Sequence, residues 1–325
     1  MKVLGIGNAL LDILLRLESD NTLKDIGIQK GAMDLIREDQ MIAIHQAQAG
    51  LNRSEAPGGS VCNSMRAMAY LGATVGYIGK VGTDRIGVLY ENALLKAGVT
   101  PHIVRTEGIS GCSTILISPD GERTMATFLG PAATLSATEI PDRMLNDYDC
   151  LYIEGYLISN EALFLPVLQQ AKKAGLKITL DLSNFNIVNS FKDLLSDVIP
   201  QYVQILFSNE SEAAAYTGLQ AEDAVRKISE QVDISVVTVG KKGAWVGSRG
   251  ESMYVPATGS YPVDTTGAGD NFAAGFLYGL TKDGSLMQAA KIGSLLAGQV
   301  ITTIGPQIPD ENWCQIKLKV NEILR

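Results

Sequence analysis

Short apolar runs alternate with amphipathic stretches along most of the chain, and this alternation constrains the fold more than any other feature. The runs of strand length are Val3–Ile6, Thr74–Gly79, Cys150–Ile153, Lys177–Leu180, Ile205–Phe207 and Val236–Val239. The helical stretches between them include Ser60–Leu71, Asp84–Lys96, Glu161–Ala174, Glu210–Tyr216, Ala221–Gln231 and Ala268–Thr281. Continuous apolar strands separated by helices favour a parallel sheet that is covered on both faces and built from right-handed βαβ units.

Two β-rich regions interrupt this rhythm. They contain short strand-like runs, and Asp120-Gly121 is a hairpin turn signal in the second region. We therefore predict a large α/β domain from residues 1–10, 38–100 and 130–325, and a small β lid from residues 11–37 and 101–129. A pair of unrelated surface hairpins is the alternative to a lid.

Composition excludes several classes of function. A net charge of −8 and a pI near 4.9 argue against a nucleic-acid partner, whose phosphates require a basic face. The four cysteines are widely spaced and form neither a CxxC motif nor a Cys/His pair, which favours a reducing compartment without disulfides or zinc. Asp12 and Arg16 interrupt the apolar amino terminus, and no stretch reaches the length of a membrane span. We expect a cytoplasmic protein with no membrane partner.

A glycine-rich turn precedes the last long amphipathic stretch. Gly267, Ala268 and Gly269 are followed by apolar residues at helical spacing. Such a turn leaves backbone N–H groups free at the positive end of a helix dipole, where an oxyanion can approach them closely. Asp270 follows at once, and a carboxylate beside a phosphate site is suited to accept a proton from an attacking hydroxyl. The alternative is that Asp264 or Asp270 only caps the helix.

The motifs of the chain resemble those of the ribokinase/PfkB family of carbohydrate and nucleoside kinases. Residues 264–270, DTTGAGD, resemble the carboxyl-terminal signature of that family, and residues 58–63, GGSVCN, resemble its second motif. An NxxE element at residues 209–212 and a TxGxxG element at residues 238–243 follow in the family order. The resemblance implies a three-layer α/β/α domain with a mainly parallel sheet, a small β lid, and ATP with Mg²⁺ as cofactors.

The resemblance also implies roles for individual residues. Asp270 takes the position of the general base, and the backbone of Gly267, Ala268 and Gly269 that of the anion hole. The residues that correspond to substrate-binding positions are Asn8, Asp12, Gly58, Gly59, Asn63 and Tyr156. Among them Asp12 corresponds to a carboxylate that accepts hydrogen bonds from two neighbouring hydroxyls, and its two oxygens suit a diol.

The nucleotide side is implied in the same way. Asn209 and Glu212 resemble the magnesium-associated motif, with contact through water. The expected nucleotide-binding positions are Asn209, Thr238, Gly240, Gly243 and Thr265. Arg123, on the predicted lid, occupies the position of a cation that meets the phosphates on closure. A solvated hairpin arginine is the alternative for Arg123.

Within the family, several segments look most like adenosine kinases, including GNALLDI at residues 7–13 and ILFSNESEAA at residues 205–214. In that interpretation Tyr156 packs near the adenine, whereas a core aromatic is the alternative. KGAMDLI at residues 30–36, Ala9 and Asp181 depart from the adenosine kinase pattern. We predict an ATP-dependent kinase acting on a hydroxymethyl group of adenosine. The alternatives are a kinase of ribose, fructose or 2-keto-3-deoxygluconate, and a non-catalytic nucleotide- or sugar-binding regulator.

The sequence leaves three further properties open. It is compatible with a monomer or a homodimer, and it decides neither whether a monovalent cation activates the protein nor whether an effector site exists.

Overall fold

The computed structural model describes residues 1–31, 33–47, 50, 53–259 and 261–325. The strands are β1 (Val3–Ile6), β2 (Leu11–Arg16), β3 (Met33–Leu35), β4 (Arg53–Pro57), β5 (Val75–Gly82), β6 (Thr100–Thr106), β7 (Cys112–Ile117), β8 (Arg123–Phe128), β9 (Cys150–Glu154), β10 (Lys177–Asp181), β11 (Ile205–Asn209), β12 (Ile234–Thr238), β13 (Gly243–Ser248) and β14 (Glu251–Pro256). The helices are α1 (Asn21–Asp25), α2 (Glu38–Ala47), α3 (Ser60–Leu71), α4 (Arg85–Ala97), α5 (Asp142–Leu145), α6 (Phe164–Lys173), α7 (Phe185–Ser190), α8 (Lys192–Tyr202), α9 (Glu210–Thr217), α10 (Ala221–Ile228), α11 (Ala268–Thr281), α12 (Leu286–Val300) and α13 (Trp313–Leu324).

A large sheet forms the centre of the protein. Its strand order in the described residues is β14-β13-β12-β11-β10-β9-β1-β5-β6. The strands from β12 to β6 are parallel, while β13 and β14 add an antiparallel hairpin at one edge. The carboxyl ends of the parallel strands therefore meet at one edge of the sheet, which is where ligands bind in open α/β folds.

Helices cover both faces of this sheet, as the continuous apolar strands predict. All four residues of β1 are buried, and successive side chains enter opposite layers. Val3 packs in a core cluster with Met65 of α3 and Phe276 of α11, whereas Leu4 packs in a second cluster on the other face. The α/β architecture with a mainly parallel sheet and a second, smaller sheet confirms the predicted fold class.

The small sheet has the order β3-β8-β7-β2-β4. Its β7–β8 hairpin turns at Asp120-Gly121, as predicted, and the N–H of Gly121 donates to the carbonyl of Ser118 at 2.9 Å. Two segments lie on the other side of the predicted domain division. Arg53–Pro57 pairs with β2 in the small sheet, and Thr100–Thr106 pairs with β5 in the large sheet. The division into domain and lid otherwise stays a prediction.

No helix in the described part of the chain combines the length and the apolar character that crossing a membrane requires. The cytoplasmic location and the oligomeric state stay predictions.

Candidate active site

Polar side chains stand where neighbouring strands of the large sheet end. Asn8 follows β1, and Glu154, Asp181, Asn209 and Thr238 end β9, β10, β11 and β12. Because these strands are parallel, all five side chains lie at the carboxyl edge of the sheet. The motifs that the sequence analysis singled out are thereby brought to one region.

Asp270 is joined to α3 by three hydrogen bonds. Ser60 Oγ donates to Asp270 Oδ1 at 2.7 Å, and Asn63 Nδ2 donates to Asp270 Oδ2 at 2.9 Å. Ser64 Oγ donates to the Asp270 carbonyl at 2.8 Å. Burial raises the pKa of Asp270 above its ordinary value, although the hydrogen bonds from Asn63 and Ser60 oppose the rise. The result is an oriented carboxylate of increased basicity, which is what general-base catalysis requires.

The turn before Asp270 leaves one side open. Gly267 has a φ of +74°, and a Cβ at this position would lie 2.7 Å from the Cα of Pro306. A side chain is therefore excluded at Gly267 by both conformation and space. At Gly269 a Cβ would meet no atom within 4 Å in the described residues, so a ligand has room to approach. Since the first N–H groups of a helix lack intrahelical acceptors, the start of α11 can receive an anion here.

Asp264 holds this turn in place. Its Oδ1 accepts from the Thr266 N–H at 2.8 Å, and its Oδ2 accepts from the Gly305 N–H at 2.7 Å. Arg123 of β8 forms an ion pair with the same carboxylate, so the small sheet is tied to the signature loop. Burial alone would raise the pKa of Asp264, but the hydrogen bonds from Arg123 and from the two backbone N–H groups outweigh it. The pKa of Asp264 therefore lies below its ordinary value. The expected contact of Arg123 with phosphates stays a prediction; in this structure its partner is Asp264.

Asp12 lies against the double glycine. A Cβ on Gly58 would lie 2.2 Å from Asp12 Oδ1, and one on Gly59 would lie 2.5 Å from the Asn8 carbonyl oxygen. Gly59 also has a φ of +94°, so this pair of glycines is needed for the local packing itself. Burial, and then the charge of Asp270, raise the pKa of Asp12 to about 7.

Asn8 is fixed by a carboxylate that the sequence analysis did not single out. Glu154 Oε1 accepts from the Asn8 backbone N–H at 2.8 Å and from Asn8 Nδ2 at 2.9 Å. Burial raises the pKa of Glu154 to about 7, although the hydrogen bonds from Asn8 and Val61 oppose the rise. A lone acid at the end of the apolar run CLYIE was the available signal for Glu154. Ser60 lies within the GGSVCN motif, but nothing near it in the sequence indicates its partner, which lies 210 residues away.

Asn209 and Glu212 form a reciprocal cap on α9. Glu212 accepts from the Asn209 backbone at 2.9 Å and from its amide at 2.6 Å, and Asn209 Oδ1 accepts from the Glu212 N–H at 2.9 Å. Burial raises the pKa of Glu212 to about 7, and burial and then Glu212 raise that of Asp181 well above its usual range. Desolvated carboxylates of this kind favour a nearby cation. The described residues contain no group of three His, Cys, Asp or Glu side chains that could ligate a metal, and the expected contact of Asn209 and Glu212 with Mg²⁺ through water stays a prediction.

Tyr156 lies in the short turn Gly155–Ser159 directly after β9. Its hydroxyl donates to the Ser183 carbonyl at 3.3 Å, and its ring is partly buried. Burial, followed by the charge of Glu154 and other carboxylates, raises its pKa strongly, so the phenol stays protonated. The ring therefore stands directly after β9, at the carboxyl edge of the sheet, as a neutral aromatic.

Apart from Asn209, the expected nucleotide-binding residues lie between the end of β12 and the start of β13 and in the signature loop. Thr238 ends β12, and its hydroxyl donates to the Ser208 carbonyl at 3.4 Å. Gly240 lies in the turn after β12 and Gly243 begins β13, with φ of +54° and +131°. Thr265 is exposed in the signature loop, where its carbonyl accepts from the Ala268 N–H at 3.2 Å. Contact of these four residues with a nucleotide stays a prediction.

Comparisons with known proteins match this chain to carbohydrate and nucleoside kinases. The model of the pfkB family carbohydrate kinases matches residues 26–313. The chain is 30% identical to the ribokinase of Haemophilus influenzae over 271 residues, 79% of this chain and 85% of that protein. The crystal structure of a probable sugar kinase from Rhizobium etli CFN 42 has a TM-score of 0.88 at 31% identity and covers 98% of each chain. That of adenosine kinase from Sinorhizobium meliloti has a TM-score of 0.85 at 33% identity and covers 95% of each chain.

Proposed function

The chain belongs to the pfkB family of carbohydrate kinases, and from this membership we propose that it transfers the γ-phosphoryl group of ATP to the hydroxymethyl hydroxyl of adenosine. As a family member it is a phosphotransferase that acts on a hydroxyl group of a sugar or nucleoside. The observation that carries the proposed mechanism is the Asp270 carboxylate, held by Ser60 and Asn63 beside the open start of α11.

The proposed role of Asp270 is to accept the proton of the attacking hydroxyl. Its raised pKa makes it a stronger base than an exposed aspartate, and its two donors fix its orientation. The N–H groups at Gly267–Gly269 stabilise charge on the transferring group, and Asp12 accepts hydrogen bonds from a diol of the substrate. When bound, ATP with Mg²⁺ supplies the phosphoryl group and neutralises part of its charge; Asn209 and Glu212 would hold the ion through water.

Two observations support adenosine as the substrate. The chain resembles adenosine kinases in the segments at residues 7–13 and 205–214, and the S. meliloti adenosine kinase structure aligns over nearly the whole chain. Tyr156 stands as a neutral aromatic at the sheet edge, where a purine could stack on it. Such stacking contributes about 1–3 kcal/mol per base in nucleic-acid complexes.

A sugar kinase is the second candidate. It is favoured by the similarity to H. influenzae ribokinase and to the R. etli protein, and by Asp181, which departs from the adenosine kinase pattern. An adenosine kinase and a sugar kinase would use the same phosphoryl-transfer residues. The two proposed functions differ only in whether the acceptor carries a nucleobase.

The test is release of ADP from ATP·Mg with adenosine, inosine, ribose, fructose or 2-keto-3-deoxygluconate as acceptor. We expect saturable turnover on adenosine far above that on the sugars. Asp270→Asn should lower kcat by about 10²–10⁴-fold because the general base is lost. Preference for a free sugar would refute adenosine and keep the mechanism. Full turnover by Asp270→Asn would refute the mechanism, and binding of ATP and acceptor without ADP release would favour a regulator.

A further inference from the structure

A small polar cavity lies behind the candidate active site. It has a volume of about 90 Å³ and is enclosed by α3, the first turn of α11, the loop before α13 and α13 itself. The residues that matter for its chemistry are Asn63, Arg66, Tyr70, Asp310 and Trp313. The cavity is larger than one water molecule needs, and its lining is more polar than a packing defect would be.

Arg66 is the central feature of the cavity. Its side chain lines the cavity from the middle of α3, and the residue is only 8% exposed. Its Nε and Nη1 atoms are buried and have no hydrogen-bond partner among the residues that the structure describes. A buried, unpaired guanidinium is costly, since burial of a charge is tolerated only when a counter-charge and hydrogen bonds accompany it. The acceptors that Nε and Nη1 lack are therefore expected to come from a bound group.

Two further buried atoms define what that group must offer. Trp313 Nε1, a donor, and Asn63 Oδ1, an acceptor, also lack partners within the described residues. The orientation of the Asn63 amide is fixed because its nitrogen donates to the carboxylate of Asp270, which leaves the oxygen as the unpaired atom. The ligand must thus accept hydrogen bonds from Arg66 and Trp313 and donate one to Asn63.

The negative groups around the cavity do not supply the missing partner. Asp310 lines the rim, but it accepts from Tyr70 Oη at 2.9 Å and pairs with Lys96 at 3.3 Å. Its side chain is 59% exposed, so it lies toward solvent. Lys96 adds a second cation at the same rim. Hydrogen bonds from Tyr70 and Lys96, and then the nearby charges of Lys96 and Arg66, lower the pKa of Asp310, so its carboxylate also faces Arg66 electrostatically. It accepts no hydrogen bond from Arg66 Nε or Nη1, and these two buried donors remain unsatisfied within the described residues.

We propose that this cavity binds a small oxyanion that carries a hydroxyl group, as hydrogen phosphate and hydrogen carbonate do. Its charged oxygens accept from Arg66 and Trp313, and its hydroxyl donates to Asn63 Oδ1. Sulfate has the charge but no hydroxyl at neutral pH, so it leaves the Asn63 oxygen unpaired and binds more weakly. Because Asn63 also holds Asp270, the occupied cavity is linked to the candidate base through a single side chain. The proposed anion binding does not require that adenosine be the acceptor.

Thermal unfolding and fluorescence titration of the full chain test the proposal without an activity assay. Phosphate, bicarbonate, sulfate and chloride are compared at equal ionic strength, because surface charge effects depend on salt. Trp245→Phe leaves Trp313 as the single tryptophan of the chain, which holds two, and makes fluorescence report on the cavity. We expect a saturable change of Trp313 emission and a rise in Tm with phosphate or bicarbonate, and a weaker response to sulfate. Comparing the responses to phosphate and to bicarbonate shows which of these two anions the cavity binds more tightly.

Arg66→Met is the decisive variant, because methionine keeps much of the apolar stem without the charge. It should abolish the oxyanion-dependent rise in Tm and, with Trp245→Phe, the fluorescence change. An equal response in wild type and Arg66→Met would place the bound anion elsewhere, including at the start of α11, and overturn the proposal. So would the absence of any response up to about 50 mM, since linkage predicts stabilisation once the ligand exceeds its Kd. If Arg66→Met does not fold, Trp313→Phe removes one donor and should weaken phosphate binding several-fold; unchanged binding would refute the geometry.

Discussion

Ser60 gives the sharpest test of the proposed catalytic base, because its hydroxyl donates directly to the Asp270 carboxylate and so acts on its basicity. The Ser60 hydroxyl donates to Asp270 Oδ1 at 2.7 Å and so favours the ionised form of the carboxylate. In Ser60→Ala this hydrogen bond is lost, while the one from Asn63 remains. The pKa of Asp270 should therefore rise further above its ordinary value.

The size of the effect follows from the strength of one hydrogen bond to a charged group. Such a bond contributes about 1.5–3 kcal/mol, and water can replace part of it in a partly buried site. Since 1.36 kcal/mol corresponds to a tenfold change in a protonation equilibrium, we expect the pKa to rise by about one unit. A base must be deprotonated to act, so the acid limb of the rate profile should move to higher pH by the same amount.

The measurement is kcat/KM as a function of pH for wild type and Ser60→Ala, because this ratio reports the ionisation of the free enzyme. The plateau at high pH should fall by less than about tenfold, since Asn63 still orients the base. Ser64→Ala is the matched control: Ser64 donates at 2.8 Å to the main-chain carbonyl of Asp270, not to its carboxylate. An unmoved acid limb in Ser60→Ala, or an equal shift in Ser64→Ala, would refute the reasoning.

Two further predictions concern stability. The pKa of Asp12 is raised from 3.8 to about 7, so the folded state loses stability as the pH rises from about 4 to about 7. At pH 8, Asp12→Asn should therefore be more stable than wild type by at most about 4 kcal/mol. Near pH 4 the variant should show no gain in stability. Urea unfolding at both pH values measures this, and an equal difference at the two would contradict it. Arg123→Gln leaves the Asp264 carboxylate, only 2% exposed, without its cation and should cost about 1–3 kcal/mol at pH 7. The pKa of Asp264 is lowered, so this loss of stability should shrink as the pH falls below about 4. The control is Arg85→Gln, which breaks an ion pair whose arginine is exposed and should cost under about 1 kcal/mol. A loss of equal size in the two variants would refute a special role for Arg123.

The parts of the fold that local sequence determines were predicted well. The bounds of β1, α3 and α11 were predicted correctly because apolar periodicity marks their interiors and Gly59 and Gly267 mark the helix starts. The strand Arg53–Pro57 was not predicted as such: RSEAP is polar and carries a proline, and it becomes a strand only through pairing with β2. Pairing partners distant in sequence decide such segments.

The candidate site divides in the same way. Motif residues such as Asp270 and Gly267 were identified from adjacent sequence, whereas the hydrogen bonds that tune them come from other segments. Glu154 reaches Asn8 across 146 residues, and nothing around Arg66 in the sequence indicates that α3 buries its guanidinium. Burial and long-range contacts, which set the pKa values and the orientation of side chains, become visible only in three dimensions.

The hydrogen bonds between α3 and Asp270 join residues that are synthesised far apart in time. At about 5–20 residues per second, Ser60 leaves the ribosome roughly 10–40 s before Asp270 does. During that interval a growing chain can pair β1 with β5, but α3 still lacks its packing partner α11, and the chain holds no carboxylate to place between Ser60 and Asn63. A polypeptide that is released before residue 270 therefore carries the Ser60 and Asn63 donors but lacks the proposed base. We expect such a fragment to have no kinase activity.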